Sequence, residues 1–245
     1  MKVERNQNLM RNIQKLFFIA WSSAIACGCS VTGNSPKFTF ADGYYRTRLN
    51  GKKYQKYYVT TGTDSIKVYP AHRQIADTNN SITVLFPEHI RPTNFSNKKF
   101  NSGSFDLDVI TILFKYRPPV TDYPAQLNTN FNGALYAGYR KDTYILSYSN
   151  TPLHVANRKI IHHGYSFGAF AGLGSARIDE FVTLRRIDYE YDGVVFTPGV
   201  ATELDLNKIN FVILSGLDFL TDKNSHVWVN NKKVWIGIGI GLNLN

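Results

Sequence analysis

Toward its end the chain alternates strictly. Val234, Ile236, Ile238, Ile240, Leu242 and Leu244 fall on one parity, and Trp235, Gly237, Gly239, Gly241, Asn243 and Asn245 on the other. Successive side chains of a strand point to opposite faces, so this stretch predicts a strand with one aliphatic face and one small or polar face. Residues 234–244 match the roughly 9–11 residues that a tilted strand needs to cross a bilayer. The pattern predicts a membrane barrel strand with its aliphatics toward lipid and its glycines toward the lumen. A soluble ligand-carrying barrel alternates too, but with the aliphatic face inward. It would leave three glycines facing water, which weakens a strand without a gain. The membrane arrangement is therefore the leading expectation.

Upstream the alternation recurs. Residues 108–116 set Ile110, Ile112, Phe114 and Tyr116 against Thr111 and Lys115, with Arg117 continuing the second face. Residues 131–140 set Phe131, Leu135, Ala137 and Tyr139 against Asn132, Tyr136 and Arg140, and residues 144–148 form a short further candidate. In residues 161–175, Tyr165, Phe167, Ala169, Ala171 and Leu173 oppose Gly164, Ser166, Gly168, Gly172 and Gly174. Val194, Phe196, Val200, Leu204 and Leu206 share a face opposite Thr197, Gly199, Ala201, Glu203 and Asp205. A tight turn at Asn207-Lys208 leads into residues 209–219, which alternate again. With the closing strand this makes seven, and single-chain bacterial barrels usually have an even number. Residues 81–86 or part of the N-terminal region supply the expected eighth strand. Pro198 is unusual inside a closed sheet and predicts a bulge. The polar stretches 177–190 and 220–231 suit external loops, and the 207–208 turn suits the periplasmic side.

The fold class expected is all-β: an antiparallel membrane β-barrel of about eight strands with a small β-rich extramembrane segment before it. The divisions are 1–28, a signal sequence with lipobox; 29–103, the β-rich segment and a connector; and 104–245, the barrel. Lys2, Arg5, Arg11 and Lys15 precede a short apolar core at 16–26 that ends in small residues, as in an export signal. The following Ala26-Cys27-Gly28-Cys29-Ser30 resembles the lipobox of bacterial lipoproteins. By that resemblance Cys29 is the better lipidation candidate and Cys27 the second; an ordinary secretory signal cleaved near Ala26 is the plainer reading. Asn50-Gly51 between aromatic-rich runs predicts a hairpin in the N-terminal segment.

Composition adjusts this picture only slightly. The 245 residues include no cysteine beyond these two, so the exported part has neither a disulfide framework nor a thiolate metal site. Aromatics at 14% fit interfacial girdles. The net charge is +10; residues 1–26 carry four Lys/Arg and one Glu, so +7 remains without them. That charge is scattered. It suits a solvated surface, or basic loops meeting lipopolysaccharide or an external glycan, and export disfavours nucleic acid as a partner.

Phe114-Lys115-Tyr116-Arg117, Gly138-Tyr139-Arg140, Glu190-Tyr191-Asp192-Gly193, Gly216-Leu217-Asp218 and the Trp228, Asn231, Trp235, Gly237 series resemble uncharacterised small outer-membrane β-barrel proteins of Bacteroidota. The resemblance covers residues 105–245 and implies an outer-membrane location, with outer-membrane lipid as the surrounding partner. It implies no activity and no cofactor. Many outer-membrane barrels end in an aromatic residue, whereas this chain ends Leu244-Asn245.

Candidate chemistry is sparse. His162 and Ser166 share a face, as a lipid A deacylase would need, but four strand residues separate them by roughly 13 Å, too far for a base to activate a serine directly. Glu203 and Asp205, with Lys115, Arg117 and Arg140, are lumenal by parity; carboxylates so placed can serve acid–base chemistry, though an internal ion network is the simpler expectation. The three glycines 237, 239 and 241 lie within a strand and not before a helix, which excludes a phosphate loop. The favoured role is a structural or surface-binding barrel. Two rivals are a soluble periplasmic lipoprotein barrel holding an apolar ligand and a barrel enzyme acting on lipid A or phospholipid.

Overall fold

A computed structural model describes residues 40–49, 53–62, 65–72, 75–85, 97–120, 123–150, 152, 156–206 and 209–244. The export signal and the two cysteines, Cys27 and Cys29, lie outside the described residues. The fold is all-β and antiparallel. Its strands are β1 (Gly43–Thr47), β2 (Gln55–Thr61), β3 (Ser65–His72), β4 (Ile75–Ala76), β5 (Ile82–Leu85), β6 (Lys98–Arg117), β7 (Gln126–Asn128), β8 (Asn132–Asn150), β9 (Ala156–Ile178), β10 (Tyr191–Leu206), β11 (Ile209–Leu217), β12 (Phe219–Leu220) and β13 (Val234–Asn243). No helix among the described residues is long and apolar enough to cross a membrane.

The six long strands pair in the order β6-β8-β9-β10-β11-β13, and β13 pairs back onto β6. The pairing thus returns to its start as a six-strand ring, two strands fewer than the sequence suggests. One reason is that 131–140 and 144–148 are a single strand. Lys141, Asp142 and Thr143 carry the ladder through, paired to Gly103, Ser102 and Asn101 on one side and to Tyr165, Gly164 and His163 on the other. The other reason is that β5 pairs with β3 and takes no part in the ring. β6 also starts about ten residues before the expected strand, so the division at 103/104 falls inside it.

Because β6, β8 and β9 are 20, 19 and 23 residues long, they overrun the ring at the end holding the β10–β11 turn. There β1 takes the edge of β6 that β13 occupies further along, through Arg46↔Asn101 and Thr47↔Phe100. The β1-β2-β3-β5 meander continues from it. Phe40, Tyr45, Leu49, Tyr57, Val59, Ile66 and Val68 from the meander pack with Phe100, Tyr144 and Leu146 from the overrunning strands. The thin N-terminal segment therefore borrows three of the ten residues of its core from ring strands. Two further apolar clusters fill the ring itself. A belt of Ile110, Ile112, Ala134, Tyr136, Phe170, Ala201, Val212, Leu214 and Trp235 crosses the middle. A cap of Tyr123, Ala176, Ile178, Val182, Val195, Leu220 and Trp228 closes the loop end.

Ile110 and Ile112 correct a sequence expectation. They are buried in the central belt, on the opposite side of β6 from the exposed Phe114 and Tyr116. The pairing of β6 with β13 runs Phe114↔Ile238 and then Ile112↔Gly239, which leaves Leu113 as a bulge. One extra residue inverts the parity of everything before it. Leu113 and Phe114 consequently both face outward, while Lys115 and Arg117 stay inside with Ile110 and Ile112.

Pro198 does mark an irregularity, though of a different kind. Gly199 pairs with Gly216 and Phe196 with Phe219 in one unbroken register, yet the ladder lapses between them and divides β11 from β12. Proline has no N–H to donate. Asp218, freed from the ladder at this point, turns its carboxylate inward to accept from Thr197 Oγ1 at 2.6 Å.

The outer face of the ring is apolar. Aromatic residues stand at both ends of the exposed band: Phe105, Tyr139, Tyr165, Phe167 and Phe211 toward the meander, and Tyr116, Phe131 and Phe196 toward the loops. Between them lie aliphatics such as Leu135, Val200, Ile213 and Ile238, the last 53% exposed. Beyond the band, where β8 and β9 overrun, the exposed residues turn polar: Lys141, Asn157, Lys159 and His163.

Candidate functional site

The inside of the ring carries its charge in two layers, one on each side of the central apolar belt. The layer nearer the loops is built around Asp218. Its Oδ1 accepts from Lys115 Nζ at 3.0 Å, Thr197 Oγ1 at 2.6 Å and Trp235 Nε1 at 3.1 Å. Its Oδ2 accepts from Lys115 at 3.2 Å and from Arg117 Nη2. Lys115 also donates to Asn132 Oδ1 at 2.7 Å and stands 4.5 Å over the Trp235 ring. Every close partner of this amine is an acceptor, as an ammonium requires. Arg117 stacks 5.3 Å from Trp228 and donates through Nε to Asn128 Oδ1 at 3.1 Å.

Trp235 fits because the facing positions have no side chain. A Cβ at Gly216 or Gly237 would come within 2.8 Å of the indole. The small inner face of β13 thus makes room for the largest fully buried side chain among the described residues.

The layer nearer the meander is acidic. Arg140, about 1% exposed, donates through Nε to Asp142 Oδ1 at 2.7 Å, pairs with Asp205 and lies 3.9 Å from Asp106. His162 Nε2 meets the same Asp142 oxygen at 2.7 Å, and its ring stacks on Tyr144 at 4.7 Å. Asn210 Nδ2 donates to Asp108 at 3.4 Å. The carboxylates of Asp106, Asp108 and Glu203 come within 4.8 Å of one another, all buried. Oxygen donors so grouped suit a hard divalent cation in kind. Gly164 sits among the ions: a Cβ there would lie 2.6 Å from Arg140 Nη2 and 2.7 Å from Asp142 Oδ1.

All five residues assigned inward by parity, Glu203, Asp205, Lys115, Arg117 and Arg140, are buried, and they divide between the layers. The loop-side layer holds Lys115 and Arg117; the acidic layer holds Arg140 and Asp205 beside Glu203. Val234, Ile236, Ile238, Ile240, Leu242 and Leu244 are all exposed. His162 and Ser166 are not brought together: His162 engages Asp142, and Ser166 hydrogen-bonds Tyr136. His163 is exposed on the other face.

Several charged residues of these layers escaped the sequence reading. Asp106 and Asp108 lie beyond the Leu113 bulge, so correct parity read backward from Lys115 puts them outside. Asp142 fell in a presumed gap between two strands. Asp218 did carry a signal, an isolated acid closing an otherwise apolar run, opposite Thr197 across the turn.

Compared with family models, curated proteins and solved structures, the chain matches none.

Proposed function

We propose that the exported protein is a six-stranded β-barrel of the outer membrane, plugged by its own side chains, with a structural or surface-binding role. One observation carries this reading: the ring is apolar and exposed outside, charged and buried inside. A water-soluble chain rarely exposes contiguous apolar area beyond a few hundred Å², whereas a membrane barrel requires an apolar belt with aromatic girdles. The belt runs Val234 to Leu242 on β13 and Val194 to Leu204 on β10, within the roughly 9–11 residues of a tilted span.

On this reading the loop end, 118–131, 179–190 and 218–233, faces outward. Lys232, Leu184 and Arg185 hold left-handed backbone there, and Val229 N donates to Val182 O at 3.0 Å, tying two loops together. Exposed Phe181, Leu184 and Tyr189 beside Arg185 and Arg186 offer a mixed apolar and basic surface for lipopolysaccharide or a glycan. The meander lies at the end of the short β10–β11 turn and faces the periplasm, the side on which an acylated Cys29, or Cys27, would tether it.

The interior is filled by the belt around Trp235 and by ion layers, which leaves the soluble carrier of an apolar ligand with the least support. A lipid-directed enzyme is similarly weakened by the separate engagements of His162 and Ser166. The test is to express residues 30–245 behind an ordinary secretory signal, without the cysteines, and wash membranes with alkaline carbonate. An integral barrel stays in the outer-membrane pellet; release into the supernatant would refute the reading.

A further inference from the structure

We propose that the loop-side layer binds a single monatomic anion, chloride under ordinary conditions, in a small cavity against Arg117. The proposal rests on the interior of the ring alone and stands independently of where the ring resides.

The cavity measures about 20 Å³ and is lined by Lys115, Arg117, Asn128, Asn132, Arg177 and Trp228 among others. One water needs roughly 10–15 Å³ by the same measure, so the space takes one water or one halide. Sulfate and phosphate are too large for it.

Three observations call for an occupant, and the second and third favour an anion over a water. Arg117 is 5% exposed, and its Nη1 has no hydrogen-bond partner although Nε and Nη2 are both engaged. A buried guanidinium N–H without an acceptor is costly. Asp218 cannot supply that acceptor, because its two oxygens already take Lys115, Arg117 Nη2, Thr197 and Trp235.

Charge is the second observation. Among the described residues the buried ionic groups of this layer are Lys115, Arg117 and Asp218, two cations against one carboxylate. No carboxylate of a described residue lines the cavity, and a buried charge without a counter-ion costs several kcal/mol even after relaxation. A water would satisfy the N–H but leave that excess in place; an anion removes both. Arg177 also lines the cavity, but its exposed guanidinium is held by Glu190 at 2.7 Å.

The third observation is the orientation of the amides. The oxygens of Asn128 and Asn132 are committed to Arg117 and Lys115, while the amide nitrogens of Asn132 and Gln126 donate to Asn130 O and to the Tyr123 hydroxyl. With the Asn128 and Asn132 oxygens turned to cations, the lining presents Arg117 Nη1 and no carboxylate, which suits an anion and not a cation.

Crystals of the full chain grown in sodium bromide test this directly by anomalous scattering. The expected result is one anomalous peak touching Arg117 Nη1. No anomalous peak there, with only ordinary water density, would overturn the proposal. A solution measurement accompanies it: the thermal midpoint in sodium bromide against sodium gluconate at equal ionic strength. The midpoint should rise with bromide in the parent, and the rise should vanish in Arg117→Lys, which retains the charge facing Asp218 but not Nη1. Equal midpoints in the two salts for the parent would count against the site.

Discussion

Trp235 Nε1 donates to Asp218 Oδ1 at 3.1 Å from the far side of the β11–β13 pair. This bond joins the closing strand to the carboxylate that Pro198 releases from the ladder, and through it to Lys115 and Arg117 on β6. Trp235→Phe should leave the ring packed but Asp218 one donor short, costing about 1–3 kcal/mol. Asp218→Asn should cost more, about 3–5 kcal/mol, because it strands two buried cations. Urea unfolding in lipid vesicles reads both; equal effects would show that the carboxylate charge does not matter.

The bulge at Leu113 is what keeps Asp106, Asp108 and Ile110 on the same inner side as Lys115. Leu113→Ala should be tolerated within about 1 kcal/mol, since the side chain is outward and only part of its area is lost. Deleting Leu113 should preserve assembly, because the shortened strand alternates without a fault and Asp106, Asp108, Ile110 and Lys115 all stay on the inner face. Loss of folded protein on the deletion would refute the parity inversion.

That bulge also marks the limit of what the sequence discloses. The β13 pattern is legible because aliphatics and glycines alternate without a fault, and the inner residues of β10 follow from the same rule. A bulge adds one residue without any composition of its own, so Ile110 and Ile112 are assigned to the wrong face. The strand count fails for a related reason: Lys141, Asp142 and Thr143 look like a polar turn, yet Asp142 is a buried partner of Arg140 and His162. Polarity signals a loop only when the inside of the fold is apolar, and here it is not.

Gly164 should be the least replaceable glycine of the acidic layer. An alanine there would press on Arg140, Asp142 and Asp205 at 2.6–2.8 Å, and overpacking of this kind costs about 1–3 kcal/mol. Gly43→Ala, whose nearest contact would be 3.7 Å, is the matched control and should change stability little. Equal midpoints for the two variants would argue against a packed ion layer.

The meander should loosen in alkali. Burial pushes the Tyr45 phenol up to about 12, and its hydroxyl donates to Ala41 O at 2.7 Å. A phenol whose value is raised on folding stabilises the fold fully below its unfolded value near 10, and that contribution is lost as pH rises from about 10 to about 12. Phenolate absorbance at 295 nm should show this tyrosine among those ionising late, and Tyr45→Phe should reduce the late amplitude by one tyrosine. Titration of every tyrosine near pH 10 would contradict a closed core around Tyr45.

The central claim is that the aliphatic face of β13 meets lipid. Ile238, 53% exposed at the middle of that face, is the position to change. An arginine at the bilayer midplane costs about 2–4 kcal/mol. On unboiled gels the parent should run as a compact, heat-shifted band from the outer-membrane fraction, and Ile238→Arg should lose both the band and the recovery. A variant that folds as well as the parent, or a parent recovered from the soluble fraction without a heat shift, would contradict the membrane barrel.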